Sequence, residues 1–423
     1  MLKNASDQTV RIGAVGAGGR GLGQLWELMS IPGVAVPAVC DQYEDRALEA
    51  AARAEEKLGI RPAVYTDHRE MLARERLDAL LCCTTWITHS RVAADAMRAG
   101  LDVAVEVGGA ASMEECWRLV RASEETGRFC MLLENCCYDR KEMALFRMAR
   151  EGLFGELVHL EGGYRHDLRD EIAYGQENRH GRLANFLRRN GDLYPTHQLG
   201  PIAKMLRINR GNRFLTLHSM ASKARGLHEY IKKEQPADYH LADQVFQQGD
   251  IVDTTILCAG GETIHLVHDC TLPRPYSRAY MVQGTRGIFQ EAPMGDAIFL
   301  EGHSPAGKES WEHKWEPFEA YQQRYEHPLW KAYGEAGIHA NGHGGMDYLV
   351  LSAFVHSVRT KTPPPIDVYD TAAWMSVTAL SEQSIALGGA PVPVPDFTSG
   401  LWIAREPFAR SAFCLDDLCT ECF

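Results

Sequence analysis

Hydrophobic and polar residues follow different patterns in the two parts of the chain, before and after about residue 135. In the first part, short apolar runs such as VRIGAV (10–15) alternate with longer segments such as SMEECWRLVRASEETG (112–127), in which apolar residues recur at helical spacing. Continuous apolar runs are typical of strands buried on both faces of a parallel sheet, with helices as the crossovers. The pattern therefore predicts an α/β domain over residues 1–135.

The second part contains runs in which apolar and polar residues alternate, among them ELVHLEGGYRHD (156–167), RFLTLHSMAS (213–222) and ETIHLVHDCT (262–271). Turn residues such as the glycines of CAGGET separate neighbouring runs. Alternation of this kind is typical of strands with one buried face. It predicts an α+β domain over residues 136–423 with a mostly antiparallel, open sheet.

Helical patterns accompany these strands. We expect the segments HQLGPIAKML (197–206) and MDYLVLSAFVHSV (346–358) to cover one face of the second sheet. A last helix is expected in DTAAWMSVTALSEQSIALG (370–388). The stretch 305–340, rich in Glu, His, Trp and Tyr, is interpreted as an insertion.

A glycine-rich loop follows the first apolar run. Gly16, Gly18 and Gly21 fit the spacing G-x-G-x-x-G, in which the glycines allow a tight turn, the approach of a pyrophosphate and close packing of a helix on a strand. The run GVAVPAVCD ends at Asp41, whose carboxylate is suited to accept the ribose hydroxyls and to repel a 2′-phosphate. The sequence thus predicts a Rossmann domain that binds NAD, although Arg20 within the loop leaves NADP open.

Polar side chains also follow three later strands of the first part. They lie at Thr84 to His89, at Glu106–Val107 and at Glu134–Asn135. In open parallel sheets, ligands bind outside the carboxyl ends of the strands. We therefore expect these positions to line the cofactor cleft, although a solvated strand end gives a similar pattern.

Composition and charge narrow the class of protein. The formal charge of −12 makes the phosphate backbone of a nucleic acid a poor partner. No apolar run approaches the roughly 18 residues of a membrane span, and the N-terminal residues lack the pattern of a signal peptide, so a cytoplasmic location is expected.

The twelve cysteines lie mostly in apolar runs, and we expect them to be reduced thiols. The tail contains Cys414, Cys419 and Cys422, one thiol short of a structural zinc site. His343 and Asp347 in GHGGMDY, with His339 before them, have metal-like spacing in a segment poorly suited to a helix. The expectation at both places is that no metal binds.

Candidate catalytic residues are concentrated in the second part. In LYPTH, Pro195 restrains the turn that joins Tyr194 to His197, and both side chains are able to move protons. A neighbouring cation would lower the pKa of a tyrosine and make it a better base. A histidine at a helix start also serves as a cap or a core residue, so both readings stay open. The candidates for substrate binding are Tyr164, Arg182, Tyr194, His197 and Tyr276.

Several motifs together resemble a known family. They are GAGGRG, WITH (86–89), EV (106–107), ENCCY (134–138), GDLYPTHQLGP (191–201), RPYSR (274–278) and GHGGMD (342–347). In this order they resemble the Gfo/Idh/MocA oxidoreductases and, more closely, glycoside hydrolase family 109, the NAD-dependent α-N-acetylgalactosaminidase group.

The chain departs from the wider superfamily at informative positions. Val107-Gly108 replaces the Lys-Pro of the sugar dehydrogenases, so their proton-handling lysine is missing. Leu193 stands where the dehydrogenases tend to have an aspartate. Gln198 replaces a glycine usual in the glycosidase group, and we expect it to affect the sugar site.

The resemblance implies roles for individual residues. NAD would be held by Arg20, Asp41, Trp86 to His89, Glu106, Val107 and Asn135. The sugar would contact Tyr164, Arg182, Tyr194 to His197 and Tyr276.

The implied reaction is oxidation at C3 of the sugar, deprotonation at C2, elimination of the C1 substituent, addition of water and reduction. Within it His197 is the expected main base, Tyr194 assists at the C3 hydroxyl, and Tyr164 is a further proton carrier. The expected partner is a small glycoside, and the expected assembly is a homo-oligomer.

Three alternatives remain open at this point. The first is an NAD-dependent sugar or inositol dehydrogenase with net production of NADH. The second is a sugar- and NAD-sensing protein without turnover. The third is a lyase or hydrolase that acts on 3-keto-glycosides.

Overall fold

The fold is given by a computed structural model that describes residues 9–338 and 342–423. Residues 1–8 of the first predicted domain and residues 339–341, which include His339 and the end of the predicted insertion, lie outside these ranges. Contacts between residues divide the chain into two compact units. Unit 1 comprises Met1–Met143, His327–Ala372 and Pro407–Phe423, and unit 2 comprises Ala144–Glu326 and Ala373–Glu406.

The strands, in chain order, are β1 (Val10–Val15), β2 (Val34–Ala35), β3 (Ala38–Cys40), β4 (Ala63–Tyr65), β5 (Ala79–Cys82), β6 (Asp102–Val105), β7 (Cys130–Leu132), β8 (Leu157–Arg165), β9 (Phe214–Ala221), β10 (Ile251–Cys258), β11 (Thr263–Asp269), β12 (Met281–Gly284), β13 (Gly287–Gln290), β14 (Ala297–Leu300), β15 (Glu316–Pro317) and β16 (Val392–Pro393).

The α-helices, in chain order, are α1 (Gly19–Leu28), α2 (Glu44–Leu58), α3 (His68–Arg74), α4 (Trp86–Arg98), α5 (Met113–Thr126), α6 (Arg140–Arg150), α7 (Arg169–Ala173), α8 (Arg182–Arg188), α9 (Thr196–Met205), α10 (Gly226–Glu234), α11 (Glu319–Arg324), α12 (Pro328–Glu335), α13 (Met346–Thr360) and α14 (Val368–Ala386).

Unit 1 contains a parallel sheet with the strand order β4-β3-β1-β5-β6-β7, to which β2 is added beside β1. Residues of β5, β6 and β7 are buried throughout, as expected for a parallel sheet covered by helices. This arrangement confirms the predicted Rossmann domain. The single strand expected at 33–41 is instead split into β2 and β3, because Pro37 lies between them and has no N–H for the ladder.

Local signals set the ends of the crossover helices. Helix α5 begins after Ser112, whose hydroxyl accepts the N–H of Glu115, and ends at Gly127 with a φ of 66°. Helix α2 ends at Gly59, which also has a positive φ, and it buries a stripe of alanines against the sheet. These signals lie within a few residues of each helix end, and for α5 the sequence segment 112–127 predicted the helix.

One expectation about the helices needs a correction, and it concerns α13. We expected this helix to cover the second sheet, but it belongs to unit 1 and packs against α1, β1 and the 3-10 helix Asn135–Tyr138. Most of its residues are buried around the whole circumference, so its sequence has no single apolar face to indicate a partner. The compact units consequently differ from the two continuous segments 1–135 and 136–423.

Unit 2 is built on a nine-stranded mixed sheet with the order β15-β14-β13-β12-β8-β11-β10-β9-β16. Among the described strands of this sheet, β8 and β11 pair in parallel and the other neighbours pair antiparallel. Burial alternates along β10, with Val252 and Ile256 buried and Asp253 and Leu257 exposed. The mostly antiparallel sheet with one exposed face is therefore confirmed.

Helix α9 packs on β8 and carries His197 in its first turn. The predicted insertion at 305–340 contributes β15 to the edge of the sheet and α11 to unit 2, whereas α12 belongs to unit 1.

Cys419 and Cys422 form a disulfide, which the sequence did not predict. The expectation of reduced thiols holds for the other ten cysteines. Within residues 9–338 and 342–423, no helix has both the length and the apolar character needed to cross a membrane.

Candidate active site

In unit 1 the glycine loop has the geometry needed for a phosphate. A Cβ atom at Gly16 (φ 96°) would lie 2.4 Å from the carbonyl oxygen of Cys83, and one at Gly21 would lie 2.0 Å from that of Gly16. By contrast, a Cβ at Gly19 would meet no atom of the described residues within 4 Å, and none of their side chains caps the helix start at Gly18. The N-terminus of α1 is thus open to an anionic group, which fits a pyrophosphate.

Asp41 lies directly after β3 and is buried. Its Oδ2 accepts the N–H of Ala17 at 2.7 Å, and its Oδ1 accepts the N–H of Tyr43 at 2.9 Å. The carboxylate thus holds the glycine loop to the end of β3. Each carboxylate oxygen has a further lone pair, so the predicted contact with a ribose hydroxyl remains compatible with these bonds.

The segment Trp86–His89 forms the first turn of α4. Nε2 of His89 donates to the carbonyl oxygen of Thr84 at 2.6 Å, so Nδ1 is left as an acceptor. Burial lowers the pKa of His89 to about 4, and the ring is neutral at pH 7. Nδ1 is buried and has no hydrogen-bond partner within the part of the chain that the structure describes, so it is available to a ligand donor.

Gly108 determines the place of the Trp86 indole. A Cβ atom at Gly108 would lie 2.2 Å from Cδ1 of Trp86, and the φ of Gly108 is 152°. The tryptophan ring therefore lies against bare backbone just after Val107, which is itself buried. A side chain at this position would displace the ring.

Two carboxylates, those of Asp347 and Glu106, hold the side chain of Arg20 in place. Its guanidinium donates to both oxygens of Asp347, at 2.7 and 2.9 Å, and its Nε lies 3.2 Å from Oε2 of Glu106. Gln24 donates to the same oxygen of Glu106 at 2.7 Å. The bidentate pair fixes the orientation of the guanidinium.

Asp347 organises this part of the site beyond Arg20. It also accepts the side-chain N–H of Asn135 at 2.7 Å and lies 2.8 Å from Nδ1 of His343. Burial alone would raise the pKa of Asp347, but hydrogen bonds from His343 and Arg20 and the charge of Arg20 hold it well below its usual range. The sequence marked GHGGMD as a motif and weighed Asp347 only as a metal ligand; the structure shows that Asp347 binds the side chains of Arg20 and Asn135.

In unit 2 the five predicted substrate residues lie together. Tyr164 is the last residue but one of β8, Tyr194 lies in the turn before α9, and His197 lies in the first turn of that helix. The ring centroids are 4.6 Å apart for Tyr164 and Tyr194, 5.4 Å for Tyr164 and His197, and 4.9 Å for Tyr194 and His197. Tyr276 reaches the same group, with its centroid 6.3 Å from that of Tyr164.

Arg182, the first residue of α8, supplies positive charge to these rings. Its guanidinium carbon lies 4.9 Å from the ring centroid of Tyr194 and 5.8 Å from that of Tyr164. Nε of Arg182 lies 2.7 Å from Oε1 of Glu171 on α7. The sequence did not single out Glu171, because its relation to Arg182 depends on the fold.

Burial determines the protonation state of Tyr164. It raises the pKa of Tyr164 to about 12 and outweighs the opposite effect of Arg182. Tyr164 is therefore protonated at neutral pH. Its hydroxyl lies 3.0 Å from Nδ1 of His166, a residue to which the sequence assigned no role.

Hydrogen bonds with residues of α14 hold the turn GDLYPTH (191–197) in place. The N–H of Asp192 donates to the hydroxyl of Ser381 at 2.8 Å, and the hydroxyl of Thr378 donates to the carbonyl oxygen of Asp192 at 2.7 Å. The carboxylate of Asp192 accepts the N–H of Tyr194, and burial raises its pKa to about 7. These bonds fix the backbone that presents Tyr194 and His197.

The side chain of Gln198 lies beside β8, and its expected effect on the sugar site stays a prediction. Its side chain is fully buried and packs over β8, where a Cβ at Gly162 would lie 1.9 Å from Cγ of Gln198. Gln198 therefore shapes the packing of α9 on β8.

Comparison with known proteins defines the class. Residues 10–133 match "Oxidoreductase family, NAD-binding Rossmann fold", and residues 138–404 match "Glycosyl hydrolase 109, C-terminal domain". A crystal structure of an NAD binding oxidoreductase from Klebsiella pneumoniae is similar with a TM-score of 0.68 at 17% identity, over 92% of this chain and 99% of that one. The WlbA dehydrogenase from Bordetella pertussis, in complex with NADH and UDP-GlcNAcA, gives 0.64 at 14% identity, over 93% and 99%. The chain thus has the fold of the NAD-binding oxidoreductases, and NAD is its cofactor.

Relatives identify the family within that class. An α-N-acetylgalactosaminidase of Tannerella forsythia is 42% identical over 426 residues, covering 95% of this chain and 89% of the relative. A second α-N-acetylgalactosaminidase, from Shewanella oneidensis, is 38% identical over 409 residues, covering 95% and 87%. The chain belongs to glycoside hydrolase family 109 and is an NAD-dependent glycosidase, as the motifs indicated.

Proposed function

We propose that the protein hydrolyses α-N-acetylgalactosaminides by transient oxidation at C3 of the sugar. The observation that carries this proposal is the cluster of Tyr164, Tyr194, His197 and Arg182 in unit 2 of a family 109 chain. Relatives that match over almost the whole length are α-N-acetylgalactosaminidases, which supports the choice of sugar. Such a sugar carries a hydroxyl at C3 and a hydrogen at C2, the two groups at which the proposed oxidation and deprotonation occur.

The cluster differs from the pair of carboxylates that most glycosidases use. Glu171 is engaged with Arg182, and Asp192 is buried beneath the backbone of Tyr194. The ring groups are suited instead to proton transfer at a sugar activated by oxidation. A ketone at C3 acidifies the C2 proton, so a base of ordinary strength is able to remove it and the C1 substituent then leaves.

NAD, when bound, supplies the acceptor for the hydrogen of C3 and the donor that restores it. The residues of this chain that would hold it are the glycine loop, Asp41, and Arg20 with its partner Asp347 (the Arg20 group), together with Trp86 to His89. Their fit rests on the open N-terminus of α1 and the unpartnered acceptor of His89. Glu106, Val107 and Asn135 complete the set, and their direct contacts with the cofactor are part of the proposal.

In the proton steps, His197 takes the proton from C2. Tyr194 donates to the oxygen at C3, and the charge of Arg182 stabilises that oxygen as the electrons of the enolate collect on it. Tyr164, protonated at neutral pH, assists at the same hydroxyl. Tyr276 is half exposed and contacts the sugar from the solvent side.

The test is the release of p-nitrophenol from p-nitrophenyl α-N-acetylgalactosaminide, with the near-ultraviolet absorbance of NADH followed in the same cuvette. We expect steady release without net NADH, and loss of release in His197→Ala with NADH binding retained. Steady accumulation of NADH from free sugars or inositols, without release of p-nitrophenol, would instead establish the dehydrogenase.

We also propose that the chain acts on this small glycoside in the cytoplasm and as a homo-oligomer. The exposed face of the unit 2 sheet supports self-association, since Met220 and Leu257 are both exposed on it. Sedimentation of the purified protein tests the assembly, and a monomer at micromolar concentration would exclude it.

A further inference from the structure

The high pKa of Tyr164 limits how this residue is able to take a proton from the sugar. A phenol with a pKa of about 12 is a poor base at neutral pH, and burial makes its phenolate costly. It is able to take a proton from a sugar hydroxyl only if its own proton leaves at the same time. The acceptor for that proton must lie within hydrogen-bond distance of the phenol oxygen.

His166 is placed to be this acceptor. Its Nδ1 lies 3.0 Å from the hydroxyl oxygen of Tyr164, and the two rings meet edge to face with centroids 5.7 Å apart. His166 is half-buried, and its ring also meets that of Tyr276, of which 52% is exposed. The imidazole therefore lies between a buried phenol and a side chain in contact with solvent.

We propose that Tyr164 and His166 form a proton relay that carries the proton of the C3 hydroxyl to solvent; this proposal rests on the proposed function. The O–H bond of the sugar breaks as a new O–H bond forms on Tyr164. The original O–H bond of Tyr164 breaks as an N–H bond forms on Nδ1 of His166. The resulting imidazolium passes a proton from Nε2 to water, and the relay runs in the opposite sense when the ketone is reduced again.

The charges around His166 favour the neutral ring at the start of this sequence. Burial and the charge of Arg182 lower the pKa of His166, against the opposite effect of nearby carboxylates. The ring is thus neutral at neutral pH, and the relay uses the tautomer that carries its proton on Nε2, in which Nδ1 accepts the hydroxyl of Tyr164. The titratable and charged side chains around the ring are Tyr164, Asp167, Asp170, Glu171, Arg182 and Tyr276.

The experiment compares His166→Asn with the wild-type enzyme. The asparagine carbonyl is able to accept the Tyr164 hydroxyl but not to pass a proton on. We expect kcat to fall about 100-fold with KM and NADH binding little changed, since acid–base groups contribute about 10²–10⁴-fold. Added imidazole is expected to restore part of kcat. The matched control is His265→Asn, on the exposed sheet face, where the histidine pairs with Asp253 at 3.0 Å.

The double variant Tyr164→Phe/His166→Asn separates a relay from two independent effects. If the residues act in series, the double variant is no slower than Tyr164→Phe alone. Effects that multiply, or a kcat of His166→Asn equal to the wild type, would overturn the relay. His166→Gln is the second variant if His166→Asn does not fold. An inactive wild-type enzyme would contradict the proposed function, whereas an active one with an unaffected variant contradicts only the relay.

Discussion

Asp347→Asn removes one negative charge from the Arg20 group without changing the size of the side chain. Arg20 then loses the bidentate pair at 2.7 and 2.9 Å and keeps at most one bond to a neutral amide oxygen, and Asn135 loses a charged acceptor at 2.7 Å. Hydrogen bonds to charged groups are worth about 1.5–3 kcal/mol each. About a third of the Arg20 side chain is exposed (34%) and Glu106 stays at 3.2 Å, so water and that carboxylate recover part of the loss.

We therefore expect Asp347→Asn to lower the free energy of unfolding by about 2 kcal/mol, or the melting temperature by about 4–8 °C. Because Arg20 and Asn135 lose their fixed positions, NADH is expected to bind about tenfold more weakly, which corresponds to about 1.4 kcal/mol. Thermal denaturation and a fluorescence titration with NADH measure the two effects. The matched control is Asp253→Asn, whose carboxylate is largely exposed, and both quantities are expected to stay at wild-type values.

The pH dependence of the stability lost in Asp347→Asn is a further check. The pKa of Asp347 is depressed in the folded state, so its stabilisation is present above the unfolded pKa of about 3.9 and is lost as the pH falls through the folded value. The difference between Asp347→Asn and the wild type is therefore largest at neutral pH and shrinks in acid. Equal melting temperatures and equal NADH affinities at pH 7 would refute this account of Asp347.

Three further outcomes are expected. Gly108→Ala forces a Cβ to within 2.2 Å of Trp86, so we expect a loss of about 1–3 kcal/mol in urea denaturation and weaker NADH binding; Gly23→Ala, where no atom lies within 4 Å, is the control, and equal stability of the two variants would contradict the steric argument. Arg182→Met is expected to lower kcat about 100-fold while leaving NADH binding intact, and turnover near that of the wild type would remove Arg182 from the proposed stabilisation of the C3 oxygen. The unfolded chain protonates His89 below about pH 6.5 but the folded one only near pH 4, so the free energy of unfolding is expected to fall by about 3 kcal/mol as the pH is lowered through that interval. Urea denaturation at several pH values measures this dependence on pH, and His89→Gln is expected to weaken it.

The sequence predicted the parts of the fold that depend on neighbouring residues. Gly16 and Gly21 mark a turn that admits no side chain, and the stop at Asp41 follows from the end of a short strand. The place of α13 was not predictable in this way. It depends on an ion pair between residues 327 positions apart, Arg20 and Asp347, and on a helix that is buried all round.

The same division applies to the candidate site. Tyr164, Tyr194 and His197 lie at a strand end and a rigid turn, which the sequence indicated, and their rings do meet. The high pKa of Tyr164 was not predictable, because it comes from the depth of burial of the ring, which the sequence does not show. The proposed role of His166 depends on the 3.0 Å distance between its Nδ1 and the phenol oxygen of Tyr164, which the sequence does not show.

The most direct test of the central claim is hydrolysis of an α-N-acetylgalactosaminide in deuterium oxide, followed by NMR or mass spectrometry of the released sugar. Because oxidation at C3 and loss of the C2 proton precede cleavage, we predict one deuterium at C2 of the product and no net NADH. Released sugar that retains its original hydrogen at C2 would contradict the oxidation and elimination cycle, and with it the roles assigned to His197 and Tyr164.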